Sequence, residues 1–154
     1  MKGTMQVENH YGVFAPGFPH IGRIKVAALA EWCRAAVREM PSGPARIRLD
    51  VHQRVCAAIA ELAPGCDCEA RREYPVPLGR MDVVWFCDGK LVVAFEVDGG
   101  AKKKSVAKLL SQQCTRCLVS LRDAPLKRPI PKGVNHIVLG VRPWRRSRYN
   151  PEDG

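Results

Sequence analysis

Three acids set into otherwise apolar stretches are the residues of this chain best suited to do chemistry. Asp82 interrupts the run Met81 to Phe86, and Glu96 and Asp98 fall at the end of Leu91 to Val97 and just beyond it. An acid in a buried strand costs several kcal/mol unless a counter-charge, hydrogen-bond donors or a metal attend it. Two or three carboxylates on adjacent strands make an oxygen-only donor set, which suits a hard cation such as Mg²⁺ or Mn²⁺ that keeps several waters. Such an ion can polarise a phosphodiester and lower the pKa of a bound water for in-line attack. The lysines that follow, Lys102, Lys103 and Lys104, would add positive charge where negative charge develops. Gly99-Gly100-Ala101-Lys102 lacks the full phosphate-loop pattern, so the glycines read as a strand-to-helix turn whose helix start could still hold a phosphate.

Whether the acids meet depends on the turn between the two runs. Alternation puts Glu96 and Asp98 on one face with Val92 and Ala94. A two-residue loop, Asp88-Gly89, pairs Cys87 with Lys90 and sets Asp82 opposite Phe95, on the other face. A three-residue loop from Cys87 to Gly89 pairs Phe86 with Lys90 and sets Asp82 opposite Ala94, so that all three acids converge. A bulge within a strand would have the same effect. In the plainer alternative, Asp82 pairs with Arg80 or Arg72 at a strand end, while Glu96 and Asp98 approach an exposed turn at Gly99-Gly100.

The elements that must position these residues follow from periodicity. Apolar residues at spacings of three and four predict a helix from Ile24 to Met40, and a second runs from about Ala45 to Ala63, stopped by Pro64-Gly65. Strands are expected over Cys66 to Val76, whose Pro75 and Pro77 confine its end to an edge or a loop, and over the two acid-bearing runs. A helix from Lys102 to Gln113 then precedes strands at Cys117 to Leu121 and Asn135 to Val141. Neighbouring strands can pair antiparallel while the later helix acts as a crossover, which predicts an α/β domain with a mixed sheet and helices on its faces. Residues 1–44 form an N-terminal arm and extra helix, residues 45–141 the core, and residues 142–154 a basic tail, in one domain overall.

The net charge of +10 is unevenly placed. Residues 1–100 carry 12 Lys and Arg against 12 Asp and Glu, whereas residues 101–154 carry 13 against 3. Clustered cations gain by releasing counterions from phosphates, so a nucleic-acid partner is expected rather than merely a solubilising surface. The contacts expected from this segment are Lys102, Lys103, Lys104, Lys108, Arg145 and Arg146, the last two in a stretch with Trp144 and Tyr149 that suits stacking on bases. No apolar run is long enough to span a membrane, and the N-terminus lacks the apolar core of a signal peptide. An intracellular, cytoplasmic protein with seven reduced cysteines is expected.

Other constellations are weaker. Cys66, Cys68, Cys114 and Cys117 could offer four thiolates to zinc, but CxC is an unusual spacing and reduced core cysteines account for them better. Cys114-Thr-Arg-Cys117 lacks a thioredoxin-like context. His52, near the apolar side of its helix with Cys56 and Ile59, reads as a half-buried histidine rather than a ligand or base, as does His136. No nucleophile elbow supports a serine-hydrolase triad.

From Asp50 to Val141 the chain resembles the PD-(D/E)XK nuclease superfamily, the restriction-endonuclease-like fold. GRMDVV supplies the Asp as Asp82, AFEVD supplies the Glu as Glu96, and a lysine-rich helix follows. The resemblance implies a helix, three strands, a helix and a strand, and a Mg²⁺- or Mn²⁺-dependent endonuclease that hydrolyses phosphodiester bonds of DNA. Asp82, Glu96 and Asp98 would be the metal ligands. Asp98 stands where the family has its lysine; one of Lys102 to Lys104 would substitute, or Asp98 would serve as a further ligand. The family often adds an acid from the first core helix, here Glu61 by its closeness to the strands, or Asp50. The resemblance also admits a homodimer that cuts two strands. Two other readings are a catalytically silent nucleic-acid-binding or assembly module of the same fold and a zinc-stabilised binding protein.

Overall fold

The computed structural model describes residues 20–21, 24–40, 48–123, 125–126 and 128–141. Most of the expected N-terminal arm and the tail with Arg145 and Arg146 lie outside the described residues. In chain order the elements are β1 (His20–Ile21), β2 (Ile24–Lys25), α1 (Val26–Arg38), α2 (Arg48–Leu62), a 3₁₀ turn (Ala63–Cys66), β3 (Glu69–Val76), β4 (Gly79–Cys87), β5 (Lys90–Asp98), α3 (Lys103–Leu110), β6 (Thr115–Ser120) and β7 (Asn135–Val138). β1 and β2 pair as a two-residue antiparallel ladder. The other five strands form one sheet in the order β3-β4-β5-β6-β7.

Connection length decides the direction of each pair. Short turns make β3, β4 and β5 antiparallel. The crossover through α3 makes β6 parallel to β5, and the long Pro-rich connection after β6 makes β7 parallel as well. The sheet is therefore mixed, with helices on its faces. Pro75, which lacks an N–H for the ladder, sits in the edge strand β3.

The sheet buries a core on each face. On one face Val83, Trp85, Val93 and Phe95 pack against Leu29, Cys33 and Val37 of α1 and Val51, Val55 and Ile59 of α2. Trp85 and Phe95 lie with ring centroids 5.0 Å apart at the centre of this layer. On the other face Met81, Val84, Ala94 and Leu118 pack against Leu109 of α3. Arg34 of α1 donates from Nε to the Leu139 carbonyl at 2.7 Å and from Nη2 to the Val138 carbonyl at 3.0 Å, which ties α1 to the end of β7. None of the described helices is long and apolar enough to cross a membrane.

Several boundaries differ from expectation. α3 stops at Leu110, where Ser111 donates its N–H to the Ala107 and Lys108 carbonyls, rather than at Gln113. β3 starts at Glu69 because the chain first makes the 3₁₀ turn at Pro64-Gly65 and then passes Asp67, with φ of 58°.

Candidate metal and phosphate site

The acids are brought together by a bulge and not by the turn. Asp88 and Gly89 have φ of 52° and 79°, both positive as a two-residue type I′ hairpin turn requires. Cys87 pairs with Lys90 and Phe86 with Leu91, but Trp85 pairs with Val93, so Val92 is an extra residue in β5. Val92 and Val93 consequently belong to the same core. The shift carries through to Val83 and Phe95, the last pair of this ladder, and just beyond it Asp82 and Glu96 come into direct contact.

At that step side chains replace the backbone ladder. The Asp82 N–H donates to Glu96 Oε2 at 2.9 Å, and the Val97 N–H donates to Asp82 Oδ2 at 2.7 Å. Each carboxylate thus satisfies an amide of the opposite strand that would otherwise lack a partner. Beside this junction lies a cavity of about 560 Å³, walled by β4 and β5, by Leu49 and His52 of α2, and by Lys104, Ser105 and Lys108 of α3.

The electrostatics follow from burial and from the two neighbouring charges. Glu96 is only 2% exposed. Burial, and then the Asp82 charge, push its carboxyl above the ordinary range, while Lys108 and the Asp82 N–H oppose that rise. Lys108 Nζ lies 2.8 Å from Glu96 Oε1 and donates to the Arg80 carbonyl, also at 2.8 Å. His52 Nε2 lies 3.4 Å from Asp82 Oδ2, and this contact raises the imidazole pKa against the lowering effect of burial. Asp98 Oδ2 accepts the Lys102 N–H at 3.1 Å, which places an anion at the start of α3, where the helix dipole favours one.

Asp82, Glu96, Asp98, Lys102 and Lys104 all line this cavity. Lys103 is exposed and lines a neighbouring one. Lys108, expected with the other lysines as a nucleic-acid contact, also lines this cavity and is only partly exposed. One turn beyond Lys104 on the same face of α3, its ammonium points inward to Glu96. Glu61 and Asp50 are exposed and line neither cavity. Glu61 is nine residues beyond His52, which displaces it roughly 14 Å along the helix axis, and α2 presents His52 to the acids instead. The spacing of His52 with Cys56 and Ile59 was the available signal for this, because it places His52 along the stripe that faces the sheet. Arg80 and Arg72 do not neutralise Asp82: Arg80 Nη1 is 3.7 Å from Glu73, and Arg72 bonds Gln53.

A second cavity, of about 380 Å³, shares Lys102 with the first. Lys103, Arg122, Arg128 and His136 line it, and among the described residues no acid does. His136 Nε2 lies 2.7 Å from Ser120 Oγ, and burial lowers its pKa, so the fixed charge here comes from the lysines and arginines. The thiols of Cys66, Cys68, Cys114 and Cys117 do not form a metal-ligating group among the described residues; the group that does form is His52, Cys56 and Asp82. No protein-family model, curated protein or solved structure matches the chain.

Proposed function

We propose that this chain is a metal-dependent nuclease-like domain with a restriction-endonuclease-like core, which hydrolyses phosphodiester bonds of DNA. The observation that carries this reading is the Asp82 and Glu96 pair on adjacent strands, with the Lys108 ammonium 2.8 Å from Glu96. The element order α2, β3, β4, β5, α3, β6 supports it.

The donors fit a hard divalent cation. Two carboxylates stand close enough that the charge of Asp82 raises the pKa of Glu96, a repulsion that a cation would relieve. The cavity leaves room for the waters that Mg²⁺ or Mn²⁺ retains. Asp82 and Glu96 would hold the ion, with Asp98 at the cavity wall. When bound, the ion would polarise the scissile phosphate and lower the pKa of a water. Lys108 takes the place of the family's absent lysine: it fixes the Glu96 carboxylate and brings a positive charge to the reacting centre. Lys102 and Lys104 hold the phosphate under attack. The adjacent cavity, with Lys103, Arg122 and Arg128, takes the next stretch of the polyanionic backbone.

One observation favours the silent binding module of the same fold. Both Glu96 oxygens and one oxygen each of Asp82 and Asp98 already have partners within the chain. The test is cleavage of plasmid and single-stranded DNA with Mg²⁺ or Mn²⁺, comparing the wild type with Asp82→Ala and Glu96→Ala. The nuclease reading expects metal-dependent cutting that both variants lose while they still fold and bind DNA. Binding of DNA without cutting under either metal would replace it with the binding module.

A further inference from the structure

We propose that His52, Cys56 and Asp82 form a binding site for a transition-metal ion of the zinc class, with a fourth coordination position open to the cavity. Their ligand atoms all lie within 4.8 Å of one another. His52 Nε2 is 3.4 Å from Asp82 Oδ2, and Cys56 Sγ is 3.9 Å from His52 Nε2. Zinc bonds of about 2.0–2.2 Å to nitrogen and oxygen and about 2.3 Å to sulfur, at tetrahedral angles, ask for separations of roughly 3.4 Å and 3.6 Å. The first is already present, the second requires a closure of a few tenths of an ångström, and Cys56 Sγ and the Asp82 oxygen, which lie within 4.8 Å, must come to roughly 3.6 Å. Cys56 Sγ is also 3.9 Å from Nδ1. The ring must therefore turn to aim one nitrogen at the ion, a motion open to a side chain 22% exposed at the cavity wall.

The donor set selects the metal. One imidazole, one thiol and one carboxylate suit a borderline-soft ion such as Zn²⁺, whereas Mg²⁺ and Ca²⁺ prefer oxygen alone. His52 and Cys56 stand one turn apart on α2 and Asp82 stands on β4, so the ion would clasp the helix to the sheet. His52 and Asp82 border the cavity while Cys56, 1% exposed, lies behind them, which leaves the remaining position for water. On binding, the Cys56 thiol gives its proton to solvent and its sulfur lone pair to the metal. The site shares Asp82 with the carboxylate pair. If that pair supports cleavage, as the proposed function holds, an ion here competes for Asp82 and inhibits; the binding itself does not depend on that reading.

Titrating the reduced full chain with Co²⁺, followed by Zn²⁺ displacement, tests the site without any cleavage assay. The expected result is one equivalent of Co²⁺ with the intense visible bands of a tetrahedral ion and a thiolate-to-cobalt charge-transfer band. Cys56→Ala should abolish the charge-transfer band. His52→Gln should weaken Zn²⁺ binding by at least about a hundredfold, since even groups that only hydrogen-bond a metal ligand are worth about 10–100-fold. Cys66→Ala and Cys114→Ala should change neither. Because Cys56 belongs to the core, His52→Gln carries the test if Cys56→Ala does not fold. Unchanged Zn²⁺ affinity in His52→Gln, or no tetrahedral cobalt spectrum at millimolar Co²⁺, would overturn the proposal.

Discussion

Replacing Lys108 with Met keeps an unbranched stem of similar length and removes only the ammonium, which isolates what that charge does for Glu96. Glu96 is 2% exposed and the Lys108 side chain 13%, with 2.8 Å between Nζ and Oε1. Breaking a buried pair by removing one partner costs about 3–5 kcal/mol. Here the pair borders a cavity that admits water, and the Asp82 N–H still serves Oε2. Both features bring the cost below that range, to about 2–3 kcal/mol at pH 8. At about 2–4 °C per kcal/mol for a chain of this size, Tm should fall by roughly 5–10 °C. The sign of the pH dependence follows from Glu96. Burial and Asp82 raise its folded pKa, and Lys108 is the main restraint on that rise, so the variant's Glu96 titrates higher still, whereas the unfolded chain titrates near about 4.3. Between those values the folded state of the variant holds a proton that the unfolded state has lost, so its stability declines as pH increases. The deficit against wild type should therefore be largest at pH 8 and shrink towards pH 5. Urea denaturation at both pH values, in a double-mutant cycle with Glu96→Gln, should give a coupling of about 2 kcal/mol at pH 8. An equal loss at both pH values, or a coupling below about 0.5 kcal/mol, would refute the pairing.

Two further outcomes follow from local geometry. His52 is held above its ordinary pKa, first by its contact with Asp82, so the stability it contributes is present below about pH 6.5 and lost as pH rises through its folded value. In urea melts His52→Gln should thus lag the wild type more at pH 5.5 than at pH 9, and a constant gap would discard the contact. Gly89 has φ of 79°, and a Cβ there would meet nothing within 4 Å, so Gly89→Ala tests backbone conformation alone. A loss of about 1–2 kcal/mol is expected from the left-handed conformation, and an unchanged urea midpoint would speak against the type I′ turn.

Much of the fold was legible because each element advertises its own period. Asp88-Gly89 between two apolar runs marked the hairpin, Leu29, Cys33 and Val37 marked the inward stripe of α1, and the helix between β5 and β6 foretold a parallel pair. The site was less legible because its geometry depends on pairs of elements. Leu91-Val92-Val93-Ala94 reads the same whether or not Val92 is bulged, since both valines are apolar, yet that single extra residue pairs Phe95 with Val83 and frees Asp82 to meet Glu96. Lys108 reads from the sequence as one of the nucleic-acid-contacting lysines, because nothing within α3 reveals that Glu96 lies beneath it. Closeness in sequence to the strands favours Glu61, but reach depends on height along α2, where His52 stands level with Asp82.

The same bulge gives the acids a second duty. Where the ladder between β4 and β5 ends, Glu96 and Asp82 accept each other's strand amides, so the pair closes the sheet as well as facing the cavity. Alanine at either position leaves an amide unsatisfied in a part-buried setting, at about 1–3 kcal/mol, and would weaken the fold along with any chemistry. Asn and Gln keep an acceptor oxygen for those amides and remove only the charge. Asp82→Asn and Glu96→Gln therefore separate the two duties. If metal-dependent cleavage disappears in them while the urea midpoint stays near wild type, the charge acts on substrate and cation; if cleavage and stability fall together, the acids serve the sheet first.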